Sequence, residues 1–137
     1  MKSKMMHWMI AAAALAAAAG SAAAQSYRAE IPLSFRVGKT LMLPGTYDVN
    51  LKTNGMVSLR NLDTNAAVLT VASVKGDPPR TWAKGKPVLG FECTGESCAL
   101  HRLYTGRDSF AYQFPIGKLP AGEQRAAVVV MAPAKAD

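Results

Sequence analysis

Two cysteines and a histidine lie close together and are the first candidates for chemistry. Cys93, Cys98 and His101 follow the spacing Cys-x4-Cys-x2-His. Thiolate and imidazole groups bind zinc, but this set offers three ligands at a spacing that zinc motifs do not use. Residues of turn-forming type separate the cysteines, between two apolar runs, which indicates a β-hairpin. The pattern therefore predicts a Cys93–Cys98 disulfide in preference to a metal site, with His101 on a strand.

A Ser-His-Asp arrangement can be assembled from Ser97 or Ser109, His101 and Asp108. Ser97 follows Gly95 at the spacing of a nucleophile elbow, but the second glycine is missing and no helical pattern follows. An imidazole on the surface of a sheet also accounts for His101. The sequence has no phosphate-binding loop, dinucleotide fingerprint or closely spaced carboxylate pair. We therefore predict a protein that is not an enzyme and that uses neither a cofactor nor a metal.

The segment from Lys75 to Pro87 is the strongest candidate for ligand binding. Glycine and proline interrupt it repeatedly, and a loop of this length is usually functional or disordered. Its tryptophan can stack on a sugar ring, and its basic side chains can bind anionic groups. Alternatively, the tryptophan folds back as a lid on the domain and leaves the lysines in water. The candidate ligand-binding residues are Arg80, Trp82, Lys84 and Lys86.

Residues 1–24 have the pattern of an export signal. Two lysines precede an apolar run from Met5 to Ala19, and Ala22-Ala23-Ala24 supplies the small side chains that a signal peptidase needs before its cut. The alternative is a membrane anchor, but the run is mostly alanine and is shorter than the roughly 20 residues needed to span a bilayer. We expect residues 25–137 to be a single domain, exported to the periplasm or outside the cell.

The charge of the chain limits the class of partner. The 137 residues carry a formal charge of +7, which becomes +5 for residues 25–137 because two lysines lie in the signal. The basic residues are spread along the sequence, so nucleic acid is not the expected partner of an exported chain. We expect an envelope protein, a lipid headgroup or an anionic polysaccharide instead.

Period-two alternation predicts the strands that position these candidates. From Ala29 to Val37 the odd positions are apolar and the even ones are not, and Pro32 indicates an edge strand or a bulge. Tyr47 to Leu51 alternates in the same way. Two later apolar runs, Ala66–Val74 and Ala126–Met131, predict a central strand and a buried strand.

The alternation of inward- and outward-facing side chains determines the length of the loop after Leu51. A two-residue hairpin at Asn54-Gly55 would pair Leu51 with Ser58 and put the apolar side chains of the two strands on opposite faces. A three-residue loop, Thr53-Asn54-Gly55, instead pairs Leu51 with Val57 and keeps them on one face. In all, about eight short strands predict an all-β fold. We expect a small antiparallel β-sandwich, with a small β-barrel as the alternative.

Two segments resemble a group of small exported bacterial β-domain proteins with the pattern IPFxFxVGxxxLPAGxYxV. They are Ile31-Pro32-Leu33-Ser34-Phe35-Arg36-Val37-Gly38 and Leu43-Pro44-Gly45-Thr46-Tyr47-Asp48-Val49. Val88-Leu89-Gly90-Phe91 and Leu100-His101-Arg102-Leu103 are similar to the second pair of strands in the group. This chain lacks the alanine between the proline and the glycine of the pattern. The group has no assigned activity, so the resemblance implies a compact exported β-domain and transfers no site residues.

Three functions follow from these observations. The leading one is a non-enzymatic exported domain that acts by contact with a protein or the envelope surface. The second is a carbohydrate- or ligand-binding module that uses the loop around Trp82. The third is a filament subunit that donates the strand Ala29–Val37 to a neighbouring molecule. Because the short connection Gly38–Gly45 allows that strand to pair within its own chain, we expect a monomer.

Overall fold

The computed structural model describes residues 25–82 and 85–134, which form two β-sheets packed face to face. The first sheet contains β1 (Gln25–Ile31), β4 (Gly45–Leu51), β5 (Met56–Asn61), β6 (Ala67–Val71) and β12 (Ala132–Pro133). The second sheet contains β2 (Phe35–Val37), β3 (Thr40–Met42), β7 (Val74–Gly76), β8 (Val88–Thr94), β9 (Ser97–Tyr104), β10 (Ala111–Gln113) and β11 (Gln124–Val130). The predicted export signal, residues 1–24, lies outside the described residues.

The two sheets are open. The strand order is β12-β1-β4-β5-β6 in the first sheet and β11-β8-β9-β10-β7 in the second, with β2 pairing in parallel with β9 and antiparallel with β3. The fold is therefore a β-sandwich, and the barrel alternative is wrong. Twelve described strands replace the eight expected, because the chain crosses between the sheets four times and divides single apolar runs at the crossings. None of the helical structure in the described ranges is long and apolar enough to cross a membrane.

The predicted strand Ala29–Val37 is divided between the sheets. β1 ends at Ile31, and β2 begins at Phe35 in the opposite sheet. Pro32 lies at the break because proline has no N–H to donate to a sheet. The alternation survives the crossing, since the inner faces of both sheets point into one core. The buried positions on the two strands include Ala29, Ile31, Phe35 and Val37.

The local pairing expected of the first strand is confirmed. β1 pairs antiparallel with β4 over its whole length, from Gln25 opposite Leu51 to Ile31 opposite Gly45. On its other side β12 covers only Tyr27 and Arg28. The first strand is therefore used within its own chain.

The loop between β4 and β5 is the three-residue one. Leu51 pairs with Val57, and Gly55 has the left-handed conformation expected at this position, with φ 72°. A single 3₁₀ turn, Thr53–Gly55, makes the connection. The alternation of side-chain faces therefore predicts the correct register between β4 and β5.

Two apolar runs lie at sheet edges, contrary to prediction. The run Ala66–Val74 is not a central strand: it divides into β6, the edge of the first sheet, and β7, an edge of the second. The run Ala126–Met131 is not a buried strand, because it forms most of β11, the other edge of the second sheet. Every strand of a two-layer sandwich turns one face away from the core, and an edge strand also lacks a neighbour on one side, so Leu69 in β6 and Val128 in β11 are exposed.

A buried polar cluster fixes the chain entering β4. The Tyr47 hydroxyl donates a hydrogen bond to the carbonyl of Leu43, and Asn61 Nδ2 donates to the same oxygen at 3.4 Å. Asn61 Oδ1 accepts from the backbone N–H groups of Asp63 at 2.8 Å and Thr64 at 3.1 Å. Burial raises the pKa of Tyr47, so its hydroxyl remains a donor at neutral pH. The tyrosine of the Pro-Gly-x-Tyr motif therefore has a structural role, because its hydroxyl anchors the carbonyl that precedes the Pro-Gly turn.

The predicted disulfide is present. Cys93 and Cys98 occupy directly opposed positions on β8 and β9, at a Cα–Cα distance of 4.0 Å, and the sulfurs are bonded. Both residues are buried in the core. With its two thiols in one bond, the Cys-x4-Cys-x2-His set retains only His101 as a metal ligand.

Replacing both Cys93 and Cys98 with alanine is expected to lower the free energy of unfolding by about 2 kcal/mol and to leave the fold intact. The loop closed by the bond is short, so the bond removes little entropy from the unfolded chain. Urea denaturation of the oxidised protein and the double variant measures the difference. Loss of the folded far-UV signal in the variant would contradict this expectation.

Candidate functional site

Trp82 lies on the outer face of the second sheet. Its backbone N–H donates to the carbonyl of Pro79 at 3.0 Å, which closes a turn in the loop between β7 and β8. The indole packs beside the Tyr104 ring at a centroid distance of 6.1 Å. It also lies against Gly90, where a Cβ would come within 2.9 Å of Trp82 Cη2. The glycine therefore permits the indole to approach the backbone of the sheet.

An irregularity in the sheet places two polar side chains beside the indole. The pairing of β8 with β9 shifts between Gly90 and Phe91, so that His101 is an extra residue in β9. A bulge of this kind changes the direction of neighbouring side chains. His101 and Arg102, which are consecutive in sequence, consequently both line the same recess.

The recess has a volume of about 150 Å³ and combines an aromatic ring with charged groups. Glu92 extends from β8, and its Oε1 lies 3.7 Å from His101 Nδ1, which is longer than a hydrogen bond. His101 Nδ1 and Arg102 Nε are buried and have no hydrogen-bond partner among the described residues. Buried polar atoms are normally paired, so these two nitrogens are exceptions in the described structure. The other lining residues are Pro79, Thr81, Phe91, Ala126, Ala127 and Val128.

The arrangement suits binding of a small amphipathic ring. The indole offers a flat apolar surface, the guanidinium offers donors that match a carboxylate, and Glu92 offers acceptors for hydroxyl groups. The recess is smaller than pockets for drug-sized molecules, which are about 300–1,000 Å³, so it has room for one ring or one side chain. No family model, curated protein or solved structure matches this chain. The chemistry of the recess is therefore the basis for assigning a function.

Of the three predicted ligand-binding residues that the structure describes, only Trp82 lines the recess. Arg80 and Lys86 are exposed and do not line it, and Lys84 lies outside the described residues. Trp82 does fold back on the sandwich, as the alternative proposed, but it covers the outer face of a sheet and leaves a recess at its side. The charged groups in this recess come from β8 and β9.

The predicted Ser-His-Asp candidates are not brought together. No hydrogen bond joins His101 to Ser97, Ser109 or Asp108, all of which are described residues. The Asp108 carboxylate instead accepts a hydrogen bond from Thr105 Oγ1 at 3.1 Å. The carboxylate nearest to His101 belongs to Glu92.

Sequence reasoning missed the contributions of Glu92 and Arg102. One signal was available, because Gly90 interrupts an otherwise apolar strand, and an isolated glycine in a strand often marks a bulge or a close approach. The structure shows both at this glycine. Nothing in the local pattern indicated which aromatic residue would approach it.

Proposed function

We propose that this chain is an exported, non-enzymatic binding domain whose recess beside Trp82 takes a sugar ring that bears a carboxylate. The observation that carries the proposal is the convergence of the indole with Arg102, His101 and Glu92 in one recess. The proposal combines the first two functions expected from sequence. The domain contacts the envelope surface by binding an acidic polysaccharide, and the recess beside Trp82 is the binding site.

Each part of such a ligand has a counterpart in the recess. The C–H face of the ring stacks on the indole of Trp82. A carboxylate pairs with the Arg102 guanidinium, whose planar donors match two carboxylate oxygens. Ring hydroxyls donate to Glu92. The positive charge of the chain attracts an anionic polymer over longer distances.

Three further observations support the proposal. The buried disulfide is typical of proteins that fold in an oxidising compartment, which agrees with export. The resemblance to small exported bacterial β-domain proteins agrees with it too. Around His101, the described residues offer a carboxylate and a guanidinium without a hydroxyl or thiol nucleophile hydrogen-bonded to the imidazole, an arrangement suited to binding.

Replacing Trp82 with alanine is expected to weaken binding of uronic-acid polysaccharides at least tenfold, because the stacking surface is lost. The measurement is a titration of the purified protein with an acidic oligosaccharide and with its neutral counterpart. Arg102→Gln is expected to reduce the preference for the acidic ligand while leaving the weak binding of the neutral one unchanged.

Matched controls separate the recess from general surface effects. Phe110→Ala removes an aromatic ring outside the recess, and Arg36→Gln removes an exposed guanidinium from β2. Both variants are expected to bind as the unmodified protein does. Equal losses in Arg36→Gln and Arg102→Gln would show that only net charge matters. Hydrolysis of the ligand that disappears in His101→Ala would identify an enzyme instead.

A further inference from the structure

β11 is an unprotected edge strand. It has seven residues and one neighbour, β8, among the described strands. Native edge strands are commonly very short or carry charges or proline, which prevents pairing with other chains. β3 and β7 have three residues each, and β12 has two. β6 also has no charge or proline, but at five residues it is shorter than β11. β11 has one charge, Arg125 near its start, whose guanidinium donates to the Gly95 carbonyl at 2.6 Å, and the five residues from Ala126 to Val130 have neither a charge nor a proline.

The side of the sandwich next to β11 is open, and β11 contributes exposed apolar side chains there. Val128 and Val130 are 48% and 58% exposed. A groove of about 920 Å³ runs beside them, lined by residues of β11 and β12 and by Arg28, Glu30 and Pro32. An extended strand can therefore reach β11 from this side without displacing another element.

The sequence of β11 is complementary to itself in the antiparallel direction. When two copies pair about Ala127, Val128 of each lies opposite Ala126 of the other, and Val130 lies opposite Gln124. Each exposed valine then has a small or flexible neighbour across the seam, which is the line along which the two β11 strands pair. Contact between the copies removes apolar surface from water. We infer that β11 pairs with β11 of a second copy, which joins two sandwiches into a symmetric dimer.

The dimer also affects ligand binding, and this step of the argument rests on the proposed function. Antiparallel pairing about a central residue relates the copies by a twofold axis perpendicular to the sheet. The outer faces of the two copies of the second sheet therefore lie on the same side of the dimer. The recess borders the seam, because Ala126 and Val128 line it. Two recesses on one face can bind the same polymer, and linking two sites raises the apparent affinity by about 10²–10⁴.

Light scattering over a series of protein concentrations, without ligand, tests the pairing. We expect a dimer that dissociates on dilution, in place of the monomer expected from the first strand alone. Val128→Lys places two like charges at diagonal positions across the seam, roughly 7–8 Å apart, and is expected to raise the dissociation constant at least tenfold. The matched control is Leu69→Lys on β6, where the side chain is 54% exposed; it is expected to leave the dimer unchanged.

A protein that remains monomeric at every concentration would overturn the inference. So would assemblies that Leu69→Lys disrupts and Val128→Lys does not. Val130→Lys, outside the recess, then tests the link to binding: affinity for a polymer falls at least tenfold, and affinity for a single acidic sugar is unchanged. Sugar binding by a monomer would refute the dimer alone, and a dimer that binds no sugar would refute the proposed function alone.

Discussion

Replacing Phe35 with alanine is expected to lower the free energy of unfolding by about 3–5 kcal/mol. Phe35 is fully buried, and its ring meets those of Tyr47 and Phe91 edge-on at centroid distances of 5.4 Å and 5.2 Å. Tyr47 belongs to the first sheet, whereas Phe35 and Phe91 belong to the second. Alanine at this position therefore removes an aromatic contact between the sheets and leaves a cavity at the centre of the core.

Urea denaturation followed by tryptophan fluorescence measures this loss. Because small domains are stable by only about 5–15 kcal/mol, Phe35→Leu provides a milder variant that stays folded, with an expected loss of about 1.5 kcal/mol. Phe110→Ala is the control: this ring contacts Tyr112 edge-on and is partly exposed, so its loss is expected to be smaller. Equal losses at positions 35 and 110 would mean that Phe35 does not join the sheets.

Replacing Asn61 with leucine is expected to lower the free energy of unfolding by about 2–4 kcal/mol. Leucine has a similar volume but cannot accept hydrogen bonds from the backbone N–H groups of Asp63 and Thr64. Leaving two partly buried donors unpaired costs about 1–3 kcal/mol each. The Leu43 carbonyl loses one donor and keeps the other, the Tyr47 hydroxyl.

The matched control for this prediction is Asn50→Leu. Asn50 lies on the neighbouring strand β4 and points outward, where its Oδ1 accepts a hydrogen bond from Ser26 at 2.6 Å. Water can replace this bond, so the expected loss is below about 1 kcal/mol. Thermal denaturation of both variants provides the comparison. A loss at position 61 no larger than at position 50 would show that the turn after β5 does not depend on Asn61.

The elements that could be predicted from sequence are those governed by local alternation. The period-two pattern identifies β4 and the inward-facing residues from Ala29 to Val37, although not the break between β1 and β2, and the alternation of faces selects the loop that pairs Leu51 with Val57. The disulfide follows from the same local logic, because a short turn brings Cys93 opposite Cys98. In each case the decisive contacts lie close together along the chain.

Edge positions and the recess could not be predicted because they depend on distant pairings. Apolar runs such as Ala126–Met131 suggest burial on both faces, and only the order of strands shows that one side of β11 has no neighbour among the described strands. The recess likewise joins Trp82 to Arg102 through a bulge that the sequence signals only as Gly90. Local patterns specify which residues face inward. They do not specify which strands become neighbours.

The four passages of the chain between the sheets determine how the domain can come apart. The first sheet is assembled from three separate stretches of chain, and the second from two, so neither sheet is a contiguous piece. Pulling on either terminus, or opening one sheet, strains the segments that continue into the other. We therefore expect the sandwich to unfold as one cooperative unit, with the amide protons of both sheets exchanging with solvent through the same global opening. Its assembly requires pairings between distant segments, which makes folding slow relative to helical domains of this size.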